Sequence, residues 1–457
     1  MTSPTSDGST ARAGQSGLLT RLYAGSARNL VGTVFNQGST FALNFVAAHA
    51  LGLLRFGEFM IVQATLTTAG NLGQFATGYT ATKYIAEFRT RDRARASRIL
   101  GLCAAASAVT GCFAAVALFL AAPSLAARAF NAPSLSTPLM IAAPAVMFII
   151  MNGFRTGALG GLESYGALAR VGVISGIAYL VLGSAGAFLA GVNGALAGVA
   201  ASAIVQWIVL GRLLTEESAR RGLATVYDHP WRERDLLIRF ALPASLSGFV
   251  TLPALWLAST ILVSQPGGLE QMALFGAANT YRVAVLFLPN TVNVVGMSLL
   301  NNQRGAGDDA YRRVFWWNLA TTAGLAVAAA AAVTITGKWL LEAFGRSFEN
   351  GYGTLLVLMV AAIIEAITMA FYQVVQSQAK LWLSLFVVAM PRDFLIVVAA
   401  YLLTPSLGAL GLAAAYAIGW TVALCTTSAL ALRLGIHAGG AADGPALIVE
   451  PIDAGRV

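Results

Sequence analysis

Long apolar stretches alternate with short polar segments over most of the chain, and this pattern predicts about twelve membrane-spanning helices. Each stretch approaches the ~20 apolar residues that a helix needs to cross a hydrocarbon core of ~30 Å. The predicted spans are residues 30–49, 57–82, 99–120, 137–155, 167–190, 192–214, 236–264, 272–300, 314–336, 352–375, 382–402 and 407–432. We therefore expect an all-α integral membrane protein.

The polar segments between the spans indicate how the chain is divided. Residues 215–235 form the longest polar gap and separate the spans into two sets of six. We predict two six-helix bundles, residues 28–214 and 236–432, joined by this cytoplasmic linker, which is a common plan among transporters. Residues 1–27 are expected to form a cytoplasmic N-terminal segment, and residues 433–457 a disordered cytoplasmic tail.

Four spans carry polar side chains along one face. In the first and second spans these side chains recur every three to four residues, and in the seventh and eighth a looser version is interrupted by prolines. We interpret the four faces as the lining of a hydrated central cavity between the bundles. Interhelical hydrogen bonding in a dry bundle is the alternative. The amides predicted to line the cavity are Asn36, Asn71, Gln74, Asn279, Asn290 and Asn293.

Four ionisable residues lie well inside predicted spans, away from their ends, where a charge is unfavourable unless it is paired or functional. In one interpretation they form neutral pairs, Arg392 with its neighbour Asp393 and Arg282 with Glu365. In the other, Arg282 and Arg392 bind an anionic substrate, because the planar guanidinium matches phosphate. Glu365 and Asp393 are then candidates for coupling to an ion. Further cations at the cytoplasmic ends of spans would extend this substrate site: Arg28, Lys83 and Arg155.

The distribution of Lys and Arg predicts the orientation. Nearly all of them outside the spans fall in alternate gaps, which marks those gaps and both termini as cytoplasmic. The exceptions are Arg55, Arg128, Lys338 and Arg346. The formal net charge of +9 follows from this distribution and does not require a nucleic-acid partner. The basic run at residues 89–98 is also suited to anionic lipid headgroups, although topology alone is sufficient to explain it.

Composition and motifs favour transport over catalysis. The chain is 57% hydrophobic and 11% charged, and its three cysteines fall in predicted spans, so neither a disulfide framework nor a zinc cluster is expected. The sequence contains three histidines and lacks the G-x-x-x-x-G-K-[ST] phosphate loop and the H-E-x-x-H zinc motif. We therefore predict a protein that is not an enzyme and that binds no cofactor or metal.

The start of the chain resembles a known family. Residues 28–65 and 81–100 are similar to polysaccharide biosynthesis flippases of the Wzx type, most specifically at residues 56–59 (FGEF) and in the basic segment that follows the second span. This family shares a superfamily with the multidrug and toxin extrusion (MATE) transporters and the lipid II flippases. The resemblance implies a MATE-like fold of two six-helix bundles around a central cavity.

The resemblance also implies a function. Such a protein turns an undecaprenyl-pyrophosphate-linked oligosaccharide from the cytoplasmic to the periplasmic leaflet of the bacterial inner membrane by alternating access, for O-antigen, capsule or exopolysaccharide synthesis. Basic residues would hold the pyrophosphate while the lipid tail stays in the bilayer. The expected partners are the lipid bilayer, this polyprenyl-linked substrate and a polysaccharide polymerase or ligase. We expect a monomer that binds no nucleic acid.

Three alternatives stay open. A MATE-type exporter of organic cations would share the plan but requires acidic groups in its cavity, and Glu365 is the clear mid-span acid outside the Arg392 and Asp393 doublet. A lipid II-type flippase also moves a pyrophosphate cargo, although it typically carries two further spans. A membrane-embedded polysaccharide polymerase commonly displays a large periplasmic loop, whereas the outer loops here are short.

Overall fold

The computed structural model describes residues 7–75, 77–226, 242–302, 308–377 and 381–434. For residues 7–30, 242–248 and 297–302, and for a few single positions, the description is limited to the backbone. Every regular element in these ranges is helical, which confirms the predicted all-α class.

The helices follow the order of the apolar stretches. They are α1 (Asp7–Gly73), α2 (Thr77–Arg91), α3 (Arg93–Ser124), α4 (Ser136–Gly161), α5 (Tyr165–Arg220), α6 (Leu242–Val263), α7 (Gly268–Asn302), α8 (Asp308–Glu342), α9 (Tyr352–Ser377), α10 (Leu381–Ser384), α11 (Met390–Leu407) and α12 (Ala409–Leu434). Single π-helical turns lie at Leu125–Ala129 and Leu385–Ala389, and 3-10 turns at Pro133–Leu135 and Arg346–Gly351. Within the described ranges, nine helical segments are long and apolar enough to cross a membrane.

Two of the long helices are interrupted at a glycine. Gly52 in α1 has a φ of 73°, and Gly191 in α5 has a φ of 59°. Both values lie in the left-handed region, which glycine adopts more readily than residues with a side chain. Each interruption falls between two predicted spans, so α1 and α5 each consist of two helices that meet at a kink. The total of about twelve spans stays a prediction.

The predicted second span, residues 57–82, is divided between two helices. α1 ends at Gly73, and α2 begins at Thr77 after a residue, Phe75, with a φ of 43°. Glycine weakens a helix, and Gly73 and Gly78 flank this break. α2 is therefore a separate helix, and it carries the basic segment as far as Arg91.

α5 extends into the predicted linker, residues 215–235. Its last turn is supported by Glu217, which pairs with Arg220 at 3.0 Å and with Arg221, because charges three and four residues apart face each other on a helix. The rest of the predicted linker from residue 227, and the predicted tail from residue 435, lie outside the described residues. The division of the chain at this linker stays a prediction.

Contacts within the chain define two compact units. The first unit comprises Met1–Ala277 together with Leu341–Asn350, and the second comprises Ala278–Leu340 together with Gly351–Val457. The predicted bundles, residues 28–214 and 236–432, were divided at the polar gap in the sequence. The compact units are divided by their contacts, and their main boundary lies between Ala277 and Ala278.

The first unit is built around α1 to α5, with α1 packed along α5 and α3 along α4. Tyr84 and Ile85 of α2 are buried in a cluster of apolar side chains from α2 to α5. The segment Leu341–Asn350 is held in this unit by aromatic packing, because the rings of Phe344 and Phe348 lie 6.2 and 5.7 Å from the ring of Phe56.

The second unit contains α8, α9, α11 and α12, with α9 and α11 both packed against α12. Tyr311 and Phe315 of α8 are buried next to Val374. A second cluster surrounds Trp420 and Val388. These contacts hold the helices that carry the intramembrane charges.

The outer surfaces of the long helices are apolar. Phe113, Leu120 and Leu189 expose 76%, 71% and 85% of their surface. Large apolar patches are rare on proteins surrounded by water, whereas such side chains match the hydrocarbon of lipid tails. The surface agrees with a multi-pass membrane protein.

Candidate functional site

Four charged side chains come together inside the second unit and form what we call the charged cluster: Arg282 on α7, Glu365 on α9, and Arg392 and Asp393 on α11. Nη2 of Arg282 lies 3.2 Å from Oε2 of Glu365, and the exposed fractions of these side chains are 10% and 13%. Nε of Arg392 lies 2.7 Å from Oδ1 of Asp393, with exposed fractions of 11% and 1%. Both ion pairs considered from the sequence are present.

The second pair lies directly after a π-helical turn, Leu385–Ala389. The backbone stays helical from this turn into α11, because Ala389 and Met390 have right-handed helical φ and ψ values. Pro391 lies at this junction and has no N–H to donate to the preceding turn. Arg392 and Asp393 are the next two residues, and Asp393 neutralises Arg392.

Two aromatic rings of α12 complete the cluster. Tyr416 and Trp420 are one turn apart and therefore lie on the same face of the helix. The guanidinium of Arg282 lies 5.3 Å from the centroid of the Tyr416 ring, and that of Arg392 lies 4.6 Å from the Trp420 ring. Both distances allow a cation–π interaction. These rings are not among the residues predicted from the sequence, although their spacing of four residues was a signal that they share a face.

The charged cluster behaves as one electrostatic group. Arg282 pairs with Glu365, and Arg392 pairs with Asp393. Two positive and two negative groups have no net formal charge, which lowers the energy of ionised groups at membrane depth. Removing any one group would leave an unbalanced buried charge.

The two ion pairs differ in geometry. The Arg392 and Asp393 pair is a short, aligned hydrogen bond between sequence neighbours. The Arg282 and Glu365 pair joins two helices but is not aligned as a hydrogen bond, and among the described residues Nε of Arg282 and Oε2 of Glu365 are buried without a hydrogen-bond partner. Arg282 therefore has donor capacity that Glu365 does not use.

A second buried polar group in the same unit consists of uncharged side chains, and we call it the amide network: Asn293 on α7, Asn318 and Thr322 on α8, and Gln373 on α9. Nε2 of Gln373 donates to Oδ1 of Asn293 at 2.8 Å and to its main-chain oxygen at 2.7 Å. Nδ2 of Asn318 donates to Oε1 of Gln373 at 3.1 Å. The network links three helices by hydrogen bonds.

Asn293 was predicted to line a cavity, and the structure shows it 8% exposed within this network. Its Oδ1 also accepts from Thr322 at 3.3 Å. This arrangement is the interhelical hydrogen bonding considered as the alternative to a hydrated face. A role for Asn293 in substrate binding stays a prediction.

The other two amides predicted in α7 differ in exposure. Asn290 is exposed, and Asn279 is half-buried. Asn279 lies three residues before Arg282, on the same face of the helix. Within the described ranges its Oδ1 is buried without a hydrogen-bond partner. Asn279 is thus the predicted amide that neighbours the charged cluster along the helix.

The amides predicted in α1 belong to the first unit. Asn36 and Asn71 are both exposed, and Nδ2 of Asn71 donates to the main-chain oxygen of Thr67 at 2.8 Å. Gln74 is half-buried against Gly153, where an added Cβ would lie 2.3 Å from the Gln74 amide carbon. None of these contacts tests a role in substrate binding.

The predicted cations of the first unit lie against aromatic rings. Nη1 of Arg155 donates to the main-chain oxygen of Trp207, and the guanidinium lies 4.4 Å from the centroid of that ring. Nζ of Lys83 lies 5.0 Å from the centroid of the Tyr84 ring. The side chain of Arg28 lies outside the described residues. Their part in a substrate site stays a prediction.

The thiols and acids suggest no further centre. Cys103 is buried, Cys112 and Cys425 are exposed, and all three are free. Among the described residues, no group of three or more His, Cys, Asp and Glu is arranged to hold a metal ion. The candidate site consists of arginine, carboxylate, amide and aromatic side chains.

The chain is similar over most of its length to known membrane proteins. The EPS I polysaccharide export inner membrane protein EpsE of Ralstonia nicotianae is 28% identical over 436 residues, which are 90% of this chain and 95% of that protein. The protein of the same name from Ralstonia solanacearum is 26% identical over 432 residues, with the same coverage.

A solved structure shows the same fold. It is the inward-facing conformation of a multidrug resistance MATE family transporter of the MOP superfamily, with a TM-score of 0.73 over 89% of this chain and 94% of that chain. At 16% identity the similarity concerns the fold alone. It confirms the MATE-like fold that the resemblance implied.

A family model described as polysaccharide biosynthesis protein matches residues 22–297. The match includes residues 56–59 and the basic segment on which the resemblance rested, and it covers more than half of the chain. The chain belongs to the polysaccharide biosynthesis protein family, as its resemblance to flippases of the Wzx type predicted.

Proposed function

We propose that this protein is a transporter that moves a polyprenyl-pyrophosphate-linked oligosaccharide across the bacterial inner membrane for the synthesis of an exported polysaccharide. Membership of the polysaccharide biosynthesis family and similarity to two polysaccharide export inner membrane proteins support export of a polysaccharide. The MATE-like fold supports transport rather than catalysis. The lipid-linked form of the cargo and alternating access are parts of the proposal.

The observation that carries the proposal is the Arg282 and Glu365 pair. Arg282 lies inside a predicted span, where it pairs with the carboxylate of Glu365 and lies over the ring of Tyr416. Its Nε has no hydrogen-bond partner among the described residues. A pyrophosphate offers several anionic oxygens, and the planar fork of an arginine matches two of them. Arg282 can therefore exchange Glu365 for the phosphate of the cargo while keeping an anionic partner.

This exchange leaves Glu365 without its ion-pair partner in a buried position. An unpaired carboxylate at membrane depth is unfavourable, so it gains by taking up a cation from solution. Glu365 is accordingly our first candidate for coupling transport to an ion gradient. Asp393 is the weaker candidate because it keeps its aligned bond to Arg392.

Export of organic cations, as by a MATE-type transporter, is the second candidate, because the chain shares the MATE-like fold. Such a cargo requires a carboxylate that is free to pair with the cation. Glu365 is paired with Arg282, and the charged cluster has no net formal charge. The cluster therefore favours an anionic cargo. A lipid II-type flippase also fits an anionic cargo, and the identity of the accumulated lipid separates it from our proposal.

The test is lipid analysis of a strain that lacks this chain. We expect polyprenyl-pyrophosphate-linked oligosaccharides to accumulate in the cytoplasmic leaflet while the surface polysaccharide disappears, and we expect the intact gene to reverse both changes. Accumulation of lipid II would instead identify the peptidoglycan precursor as the cargo. Normal lipids and normal polysaccharide, together with increased sensitivity to cationic drugs, would contradict the proposal and support the cation exporter.

A further inference from the structure

One end of the first unit carries a dense group of positive charges that has no part in the charged cluster. Residues 83–98, at the end of α2 and the start of α3, contain six cations and two acids, and we call this segment the basic corner. We propose that the basic corner binds the phosphate of anionic phospholipid headgroups, with Arg91 and Arg93 as its main contacts. This inference is independent of the transported cargo.

Packing holds the basic corner in place. Tyr84 and Ile85 are 7% and 0% exposed in the apolar cluster of α2 to α5. Nη2 of Arg89 lies 2.6 Å from Oε1 of Glu163, and its Nη1 donates to the main-chain oxygen of Gly161 at 3.2 Å. The α2–α3 corner is thereby fixed to the α4–α5 turn, so its charges stand on a rigid support.

The interactions within the corner leave two arginines available. Oδ1 of Asp92 accepts from the main-chain N–H of Arg95 at 2.9 Å and so caps α3. The Arg95 guanidinium lies 4.4 Å from the centroid of the Phe88 ring. Arg91 and Arg93 on either side of Asp92 are exposed, and in the described part of the chain neither forms an ion pair.

The acid nearest along α2 does not neutralise this pair. Glu87 is exposed one turn before Arg91, and within the described residues it forms no ion pair with it. On the other side, the chain that follows α5 lies against α3: the N–H of Ala224 donates to Oγ of Ser97 at 3.2 Å, and the Arg93 guanidinium lies beside Gly222. Apart from the capping carboxylate of Asp92, the described surroundings of the two arginines thus present main chain and solvent, which suits an incoming anion.

The position along α3 identifies a lipid as the source of that anion. The predicted third span begins at residue 99, and the rise of 1.5 Å per residue places Arg93 about 9 Å before the hydrocarbon core. The headgroup layer adds about 5–8 Å on each side of that core. The long side chains of Arg91 and Arg93 therefore reach the phosphates of the adjacent leaflet, and the predicted orientation makes this the anionic cytoplasmic leaflet.

The experiment compares lipid binding by the purified full-length chain and two variants with equal charge. Native mass spectrometry in detergent counts bound phosphatidylglycerol and phosphatidylcholine. One variant is Arg91→Gln with Arg93→Gln, and the control is Arg128→Gln with Arg346→Gln, which removes two exposed arginines on the side predicted to face away from the cytoplasm. We expect the first variant alone to bind phosphatidylglycerol about 25-fold more weakly, at about fivefold for each arginine, with little change for phosphatidylcholine.

Further outcomes keep the proposal open to refutation. Arg91→Lys with Arg93→Lys should restore most of the binding, and size-exclusion chromatography verifies that each variant is folded. Equal losses in both glutamine variants would show a diffuse effect of net charge and overturn the proposal. Competition by glycerol 3-phosphate at equal concentration would also overturn it, because the ligand would then be a free phosphate. So would tighter binding of an acidic polypeptide, which would identify a protein as the partner.

Discussion

The charged cluster and the amide network lie in the same unit and are buried to a similar degree, but they satisfy their polar groups differently. Arg282 and Arg392 are 8% and 9% exposed, and Asn293 and Gln373 are 8% and 4% exposed. The amide network joins three helices through aligned hydrogen bonds, and its unused atoms, Nδ2 of Asn293 and Oδ1 of Asn318, belong to uncharged groups. The charged cluster contains one aligned pair and one that is close in distance but not aligned.

This difference separates structural from exchangeable contacts. A hydrogen bond between neutral groups in a membrane stabilises helix packing by only about 0.6–1.7 kcal/mol, and its loss leaves no charge. Breaking a buried ion pair by removing one partner is destabilising by about 3–5 kcal/mol. A misaligned pair with an unused donor is the contact that a charged ligand can replace. We therefore assign packing to the amide network and cargo recognition to Arg282.

Reversing the charge of Arg282 should have the largest effect. In the native chain the Arg282 guanidinium lies 3.2 Å from the carboxylate of Glu365. Arg282→Glu replaces this cation by a second acid next to Glu365, and it removes the side chain proposed to bind the phosphate. We expect surface polysaccharide to fall at least about 100-fold at equal protein level, since the lost interaction exceeds about 3 kcal/mol. Arg346→Glu, at an exposed arginine, is the matched control and should export normally. Normal export by both variants would remove Arg282 from the site.

Neutralising Asp393 should affect stability before transport. Asp393→Asn keeps the shape but leaves Arg392 buried without its anionic partner, so we expect the free energy of unfolding to fall by about 3 kcal/mol. Denaturant unfolding in detergent measures this change. The double variant Arg392→Leu with Asp393→Leu should regain most of the loss, because it leaves no unpaired charge. Unchanged stability of the single variant would contradict the structural assignment of this pair.

Removing the Asn293 side chain should destabilise moderately and spare transport. Asn293→Ala leaves Nε2 of Gln373 and Oγ1 of Thr322 without their side-chain acceptor, so we expect a loss of about 1–2 kcal/mol. Export per folded molecule should be unchanged, and Asn290→Ala, at an exposed position, should alter neither quantity. If Asn293→Ala abolishes export without loss of stability, Asn293 lines the substrate cavity and its assignment to helix packing is wrong.

Replacing Trp420 by Phe should have the smallest effect. The variant keeps a ring near Arg392 but weakens the cation–π interaction, which is strongest for Trp. We expect a loss of about 0.5–1 kcal/mol in stability, whereas Trp420→Leu should lose more. Trp339→Phe, at a ring that is 69% exposed, is the control. Equal stability of the Phe and Leu variants would show that the ring contributes only apolar packing.

The sequence predicted the fold better than the contacts of the site. Apolar length and charge placement are properties of each segment alone, so they predicted an all-α membrane protein with breaks close to Gly52 and Gly191. The pairing of Arg392 with Asp393 was also accessible, because the residues are adjacent and a lone charge in a span needs a partner.

Contacts between distant segments were less accessible. Periodicity shows that Asn293 lies on a polar face but not which helix covers that face, and its partners Asn318 and Gln373 are 25 and 80 residues away. Tyr416 and Trp420 resemble ordinary apolar positions until the arginines are placed over their rings. Tertiary packing, which a single segment does not encode, decides these contacts.

Translocation by the purified protein in proteoliposomes tests the central claim most directly. The vesicles contain a polyprenyl-pyrophosphate-linked oligosaccharide in one leaflet, and a lectin outside reports its arrival in the other. We predict that the unmodified chain moves this lipid and that Arg282→Glu, folded to the same extent, does not. Equal movement by both proteins, or movement by neither when the unmodified chain is folded, would contradict the account.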